Sequence, residues 1–158
     1  MKKLNKKGFT LIELLAVIII LALLIAIAVP AVTRYLNSAR ESTFAVNANY
    51  AIKAVKEYVT IEGMSGNNSL IDSNGNITIQ VLNDNLLDKK LEESPYGNEY
   101  QQTSYVHVGT DLDGNYVYSI CLLDTSGRGL YDKTTTYVKE SKVTKDNISK
   151  YSMGTECN

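Results

Sequence analysis

The most informative stretch of this sequence is KKGFTLIELLAVIIILALLIAIAV, residues 6–29. Every residue from Leu14 to Val29 is Leu, Ile, Val or Ala, and the apolar run from Phe9 to Val32 is interrupted only by Thr10, Glu13 and Pro30. At about 1.5 Å per residue, a helix of this length crosses the ~30 Å hydrocarbon core of a bilayer. A core helix in a soluble protein of 158 residues is rarely apolar on all faces. The stretch therefore predicts a membrane-spanning helix.

The flanks of this helix predict its orientation. Four lysines, Lys2, Lys3, Lys6 and Lys7, precede it, so the N-terminus is expected in the cytoplasm and everything after Arg34 outside. Without those lysines and Glu13, the remainder of the chain has 12 Lys and Arg against 16 Asp and Glu. This acidic balance does not favour a general nucleic-acid-binding face.

Glu13 is the unusual residue of the span, because an acidic side chain at the centre of a membrane helix costs roughly 2.5–3.5 kcal/mol. A cut after Gly8 would give Phe9 a charged amine, and Glu13 lies at i+4 from it on the same helix face, near the positive end of the helix dipole. The alternative is that Glu13 merely reaches the cytoplasmic headgroups.

Two cleavage sites are open from the residues alone. An ordinary secretory signal is cut after its apolar stretch, where Ala31, Ser38 and Ala39 offer small residues. The long apolar run, which continues into a helical pattern, favours a cut before the span instead. Gly8 suits a protease that grips extended backbone at the membrane surface.

The segment KKGFTLIELL, followed by a long aliphatic run and a proline, resembles the class III signal of type IV pilins and pseudopilins. The resemblance covers about 25 to 30 residues. It implies that a membrane prepilin peptidase cuts after Gly8 and methylates Phe9. It also implies that Glu13 of an incoming subunit meets the Phe9 amine of a subunit already in a filament, which sets the register of assembly. Pro30 falls where helices of that family bend.

The helical pattern continues after the span, so one helix is expected from about residue 9 to 62, with a bend at Pro30 where a hydrogen bond is lost. The predicted organisation is a cleaved leader at 1–8, an apolar half-helix at 9–33 and an external domain at 34–158. That domain divides into an amphipathic half-helix at 34–62 and a loop and sheet region at 63–158.

The expected fold class is α+β, with the long helix packed on a small antiparallel sheet, which is also the pilin layout. Strands are predicted at 105–108 and 116–123, joined by a hairpin loop at 109–115. Residues 77–82 are expected to form a strand or lead into a short helix at 83–93, and 134–139 is a further candidate strand. Turns are predicted at 72–76, 94–98 and 124–129, and 133–150 looks less regular.

Two cysteines lie in the external part, and in an oxidising compartment the Cys121–Cys157 pair indicates a disulfide; two free thiols are the alternative. The resemblance implies a disulfide-bounded C-terminal region. The sets Asp72, Asn74, Asn76 and Asp111, Asp113, Asn115 look like the start of a calcium loop, but neither has glycine at the sixth position or glutamate at the twelfth. We interpret them as turns and expect no cofactor, with calcium in a C-terminal loop as the open alternative.

No catalytic set is predicted, because His107 is the only histidine and no glycine-rich phosphate loop occurs. Five lysines at the C-terminus lie among three tyrosines, but nearby acidic residues dilute their charge, so a solvated tail is favoured over nucleic-acid binding. These lysines are Lys133, Lys139, Lys142, Lys145 and Lys150.

The expected function is that of a structural pilin subunit, anchored in the cytoplasmic membrane before assembly and part of a surface filament for adhesion, motility or surface interaction afterwards. Its expected partners are copies of itself or other pilins, the prepilin peptidase and a membrane assembly platform. The alternatives are a pseudopilin of a type II secretion or competence apparatus, a DNA-binding receptor module, and a single-pass surface protein that never polymerises.

Overall fold

The computed structural model describes residues 8–65, 68–150 and 156–157. One helix, α1, runs through Leu11–Ser65, as the continuous apolar and then amphipathic pattern predicts. The chain divides into two compact units, Met1–Asn37 and Ser38–Asn158. Most of the expected leader, residues 1–7, lies outside the described part of the chain.

In the first unit, α1 exposes its large apolar side chains on every face, including Leu11, Ile12 and Ile27. Pro30 lies inside the helix, and the Thr33 hydroxyl donates to the Val29 carbonyl at 2.9 Å. The proline lacks the N–H that would bond to the carbonyl one turn earlier. The bend expected at Pro30 stays a prediction.

In the second unit, α1 buries one stripe of side chains against the sheet. This stripe follows the i, i+4, i+7, i+8 spacing of a single helix face. Its buried members are Phe44, Ala48, Ala51, Ile52, Val55 and Val59. They share one core with Val106, Ile120 and Leu122 of the sheet. Burying each large aliphatic or aromatic side chain contributes roughly 1.5–3 kcal/mol, so this face is what holds the helix to the sheet.

The sheet is antiparallel and has six strands: β1 Asn76–Thr78, β2 Tyr105–Thr110, β3 Tyr116–Leu123, β4 Arg128–Leu130, β5 Val138–Lys139 and β6 Ile148–Lys150. Their order is β1-β2-β3-β4-β6, and β5 pairs with β3. The predicted hairpin is confirmed, with Tyr105 opposite Cys121 and Thr110 opposite Tyr116. Its first strand extends to Thr110, two residues beyond the predicted 105–108, and this shortens the predicted loop at 109–115 to 111–115.

Two expectations in this region are wrong. The strand expected at 77–82 ends at its second residue, and the helix expected at 83–93 lies earlier in the chain. β1 ends at Thr78, and the Thr78 hydroxyl accepts a hydrogen bond from the Val81 amide at 3.4 Å. This N-cap starts a short helix, α2, at Ile79–Asn85. The helix cannot continue to residue 93, because the Asn83 side chain closes the following loop by bonding to the Leu91 amide and carbonyl at 2.7 and 3.1 Å.

Two further expectations need correction near the C-terminus. The turn predicted at 124–129 closes at Arg128, whose carbonyl accepts the Asp124 amide at 2.8 Å, and β4 begins at the same residue. Gly129 permits this pairing, since a Cβ there would stand 1.8 Å from the Leu122 carbonyl oxygen. The strand predicted at 134–139 shrinks to Val138–Lys139, because the Thr136 amide bonds to the Asp132 carbonyl at 2.8 Å and closes a turn.

The predicted disulfide between Cys121 and Cys157 is present, with 5.8 Å between the two Cα atoms. Both cysteines are buried in a small cluster with Tyr105 and Leu123. The bond ties the C-terminal end of the chain to the central strand β3.

Candidate functional site

Gly8 and Phe9 begin the described part of the chain, and neither is packed against other described residues. A Cβ added to Gly8 would have no neighbour within 4 Å, and the Phe9 ring is 87% exposed. Within the described residues, packing therefore does not require a glycine at position 8. The role of Gly8 in cleavage stays a prediction.

Thr10 and Glu13 form a capping box at the start of α1. One Glu13 carboxylate oxygen accepts hydrogen bonds from the Thr10 amide and hydroxyl, both at 2.8 Å. The Thr10 hydroxyl accepts the Glu13 amide at 3.3 Å. Each residue thereby satisfies a backbone donor that a helix start leaves without a partner. The carboxylate at position 13 has an intrachain partner even without a free amine on Phe9.

Sequence reasoning missed this arrangement, although the signal was present. The spacing T-x-x-E before an apolar run is the signature of a capping box. The i+4 spacing pairs Glu13 with the Phe9 amine instead, and that pairing and the register role of Glu13 stay predictions.

The apolar half of α1 is the only helix in the described part of the chain that is long and apolar enough to cross a membrane. Within the first unit, the described side chains of this segment are exposed. An exposed apolar surface of this extent needs lipid or other protein chains around it.

Four turns of the second unit share one backbone geometry, at 72–76, 94–98, 111–115 and 124–128. In each, the amide of the first residue bonds to the carbonyl of the fifth at 2.7–3.0 Å, and the glycine in fourth place has a φ of 76–82°. Glycine adopts such a φ without the steric cost that other residues meet.

The first residue of these turns explains the calcium-like patterns. The Asp72 and Asp111 carboxylates each accept two backbone amides of their own turn, at 2.8–3.0 Å. The hydrogen bonds to Asp111, above all the one from the Asn115 amide, lower the pKa of its carboxyl group. Within the described residues, no group of three His, Cys, Asp or Glu side chains is placed to hold a metal ion. The turn interpretation accounts for both motifs.

Asp124 links two of the turns from a fully buried position. One carboxylate oxygen accepts the Ser126 and Arg128 amides at 3.0 Å and the Ser126 hydroxyl at 2.7 Å. The other accepts the Ser94 hydroxyl at 2.8 Å. Four donors around a buried carboxylate offset its desolvation, so Asp124 has a structural role.

His107 is half-buried in an open groove of about 550 Å³ beside β3. Its ring stacks on Tyr137 with 5.2 Å between centroids, and its Nδ1 lies 2.9 Å from the Asn76 side-chain oxygen. On the rim of the same groove, the Lys56 ammonium pairs with Glu140 at 2.5 Å. His107 and Lys56 therefore each have a polar partner within the chain.

The C-terminal lysines lie on exposed segments around β5. Lys133, Lys139, Lys142 and Lys145 are all exposed, and none forms a salt bridge within the described part of the chain. The side chain of the fifth lysine, Lys150, lies outside what the structure describes.

Comparison with known proteins identifies the N-terminal segment. No curated protein and no solved structure matches the chain. A family model described as the prokaryotic N-terminal methylation motif matches residues 3–29, which include Gly8, Phe9, Thr10 and Glu13. That motif implies processing by a prepilin peptidase and assembly with other pilins. Residues 3–29 of this chain are the class III signal of type IV pilins and pseudopilins.

Proposed function

We propose that this protein is a structural subunit of a type IV pilus-like filament. It is made as a membrane-anchored precursor, cut after Gly8, methylated on Phe9 and polymerised through its apolar half-helix. The observation that carries this proposal is the methylation motif at residues 3–29, continuous with a helix whose apolar side chains are exposed on all faces.

The exposed apolar helix supports polymerisation as well as anchoring. In the membrane, lipid covers its side chains, and the helix satisfies its own backbone hydrogen bonds. Outside the membrane the same surface is stable only when other apolar helices cover it. A bundle of such helices from many copies meets this need, so one segment serves both the precursor and the filament.

Glu13 has a two-stage role in this proposal. In the precursor, its carboxylate belongs to the capping box with Thr10. Cleavage after Gly8 converts the Phe9 amide into a cationic amine. The carboxylate of an incoming chain pairs with that amine on its neighbour, and the low dielectric of an apolar bundle strengthens this attraction. The charge is then tolerated only in the correct register.

The proposal places the precursor in the cytoplasmic membrane with its N-terminus inside, and the assembled chain at the cell surface. The partners are the prepilin peptidase, an assembly platform and other pilins. The chain itself is proposed to have no enzymatic activity, since the methylation motif is typical of structural proteins. A pseudopilin of a secretion or competence apparatus has the same N-terminal chemistry and differs in the length and place of the filament.

Alanine substitution of Glu13 tests this function. In cells that make the protein, we expect Glu13→Ala to abolish filaments in the fraction sheared from the surface, while cleavage after Gly8 continues. Two variants act as controls: Thr10→Ala removes a capping hydroxyl but keeps the carboxylate, and Glu57→Ala removes an exposed carboxylate elsewhere on α1. Both are expected to form filaments.

Filaments of normal amount and length from Glu13→Ala would contradict the register role. Loss of filaments with both Glu13→Ala and Thr10→Ala would assign the defect to helix capping instead. Short assemblies of the wild-type protein that stay in the membrane fraction would favour the pseudopilin function.

A further inference from the structure

The second unit carries two oppositely charged surfaces that do not neutralise each other within one chain. The acidic surface consists of Asp88, Glu92, Glu93 and Glu99, and the basic surface consists of Lys133, Lys139, Lys142 and Lys145. All eight side chains are exposed. Among the described residues, none of the eight takes part in a salt bridge.

Nearby charges of the opposite sign do not cancel either surface. Beside the acidic surface, Lys90 is paired with Asp84 at 3.7 Å, which leaves Lys89. Two arginines at this end, Arg40 and Arg128, lie over the Tyr96 ring, with 5.9 and 4.3 Å from guanidinium carbon to ring centroid. Both keep their positive charge there, but the Glu41 and Asp124 carboxylates act electrostatically on the same ring, so two charges of each sign balance at this place.

The acidic residues close to the basic surface offset it only in part. Glu140 is paired with Lys56. The hydrogen bond from the Thr134 amide at 2.8 Å, and with it the charge of Lys142, lowers the pKa of Asp132, so Asp132 stays a charged neighbour of this lysine. Asp146 is a second carboxylate there and is exposed. Four lysines against these two carboxylates leave the basic surface with a positive excess.

The two surfaces are attached at different levels of α1. The segment with the acidic surface is attached to α1 near Asn47 and Tyr50. The Asn47 side-chain amide donates to the Tyr100 hydroxyl at 2.9 Å, and the Lys89 backbone amide donates to the Tyr50 hydroxyl at 3.2 Å. The basic surface is fixed near Lys56 through Glu140. Positions 47 and 56 are nine residues apart in sequence, which is about 13.5 Å along a helix.

We propose that the basic surface of one copy docks on the acidic surface of the next copy, as a second contact between subunits. This inference deepens the proposed function and rests on it. A contact between two different surfaces of identical chains is heterologous, and such contacts generate open helical filaments when the rotation between copies does not close a ring. A nucleic acid would bind only the lysines, and the carboxylates would repel it.

A groove beside the acidic surface adds an apolar area to the charged contact. An open groove of about 760 Å³ runs between α1 and the segment that follows α2. Val46, which is 64% exposed although it lies among buried helix residues, lines this groove together with Glu92 and Glu93. Covering Val46 on docking would add apolar burial to the charge attraction.

Charge reversal tests the contact in cells that make the full chain. The acid-reversed variant carries Glu92→Lys with Glu93→Lys, and the base-reversed variant carries Lys142→Glu with Lys145→Glu. Each variant removes the net charge of the altered surface and places two charges in it that repel the unaltered surface of the next copy. We expect sheared filaments to fall at least about tenfold for each, because like charges facing across an interface cost several kcal/mol.

Making both variants in one cell restores opposite charges between alternating copies, so we expect filaments that contain both chains. A control with the same net charge change as the acid-reversed variant, Glu57→Lys with Asp113→Lys, lies outside both surfaces and is expected to assemble normally. Unchanged filaments from either reversed variant, or no restoration on making both, would overturn the inference.

Carbodiimide treatment of membranes and filaments from wild-type cells separates this inference from the proposed function. The reagent joins carboxylates to amines in contact, so mass spectrometry of the cross-linked dimer is expected to show peptides 88–99 joined to peptides 133–145. A cross-linked dimer without any surface filament would refute the filament function and leave the contact standing. Filaments without this cross-link would refute the contact alone.

Discussion

At the scale of single residues, the polar side chains of this protein are held by identifiable partners. Burial raises the pKa of Tyr100 to about 12 from 10.0, although its hydrogen bond with Asn47 opposes the shift. Folding therefore favours the neutral phenol. Its contribution to stability is complete below pH 10 and is lost as the pH rises towards 12.

Tyr100→Phe tests this linkage. At neutral pH, we expect the variant to lose about 0.5–1.5 kcal/mol of unfolding free energy with the hydrogen bond. Between pH 10 and 12, its stability should fall less steeply than that of the wild type. Denaturant unfolding of the detergent-solubilised protein at a series of pH values measures both, and Tyr116→Phe, at an exposed ring, is the control. Equal alkaline slopes for Tyr100→Phe and wild type would refute the assignment.

At the scale of elements, the repeated glycine turns set the positions of the strands. Gly75 and Gly114 have the same φ of 82°, but their surroundings differ. A Cβ at Gly75 would stand 2.7 Å from the Val108 carbonyl oxygen, whereas one at Gly114 would meet nothing within 4 Å.

Alanine substitution at these two glycines separates backbone strain from close packing. Gly114→Ala is expected to cost about 1–2 kcal/mol of unfolding free energy, the strain of a left-handed residue with a side chain. Gly75→Ala should cost more, because β1 and β2 must also move apart. Unfolding free energies of the two variants give the comparison, and equal losses would show that the contact at Gly75 relaxes freely.

The elements also show how far the sequence predicts the structure. Continuous patterns gave reliable predictions: the long helix α1 and the hairpin of β2 and β3 follow from periodicity and a turn signal. The errors lie where one polar side chain overrides a short apolar pattern. Thr78 caps α2 and ends a strand that the alternation of 77–82 favoured, and Asn83 closes the loop where a helix was expected.

At the N-terminus, the cleavage, methylation and register roles stay predictions, and the hydrogen bonds of the helix start were not predicted. Gly8, Phe9 and Glu13 stand out from the motif itself, whereas the bond from Glu13 to Thr10 depends on where the helix starts. The charged surfaces were not predicted as a pair, because the levels at which they attach to α1 arise from tertiary contacts such as Lys56 with Glu140.

At the scale of the whole molecule, the disulfide fastens the C-terminal end to the sheet. The cysteines are separated by 36 residues. Closing a loop of that length contributes roughly 3.5–4 kcal/mol in the chain-entropy model. We expect the double variant Cys121→Ser with Cys157→Ser to lose about this much unfolding free energy, measured by denaturant titration under oxidising conditions. A reductant should bring the wild type to the same value, and a double variant as stable as the oxidised wild type would contradict this role.

The proposed function requires that the whole chain, as it leaves the membrane, changes from a precursor to a filament subunit by one cut and one methylation. Mass spectrometry of the N-terminus of the protein purified from its own cells tests this requirement. We expect a chain that begins at Phe9 with an N-methyl group. A chain that still begins at Met1 or Lys2, or one that begins near Ala39, would contradict it.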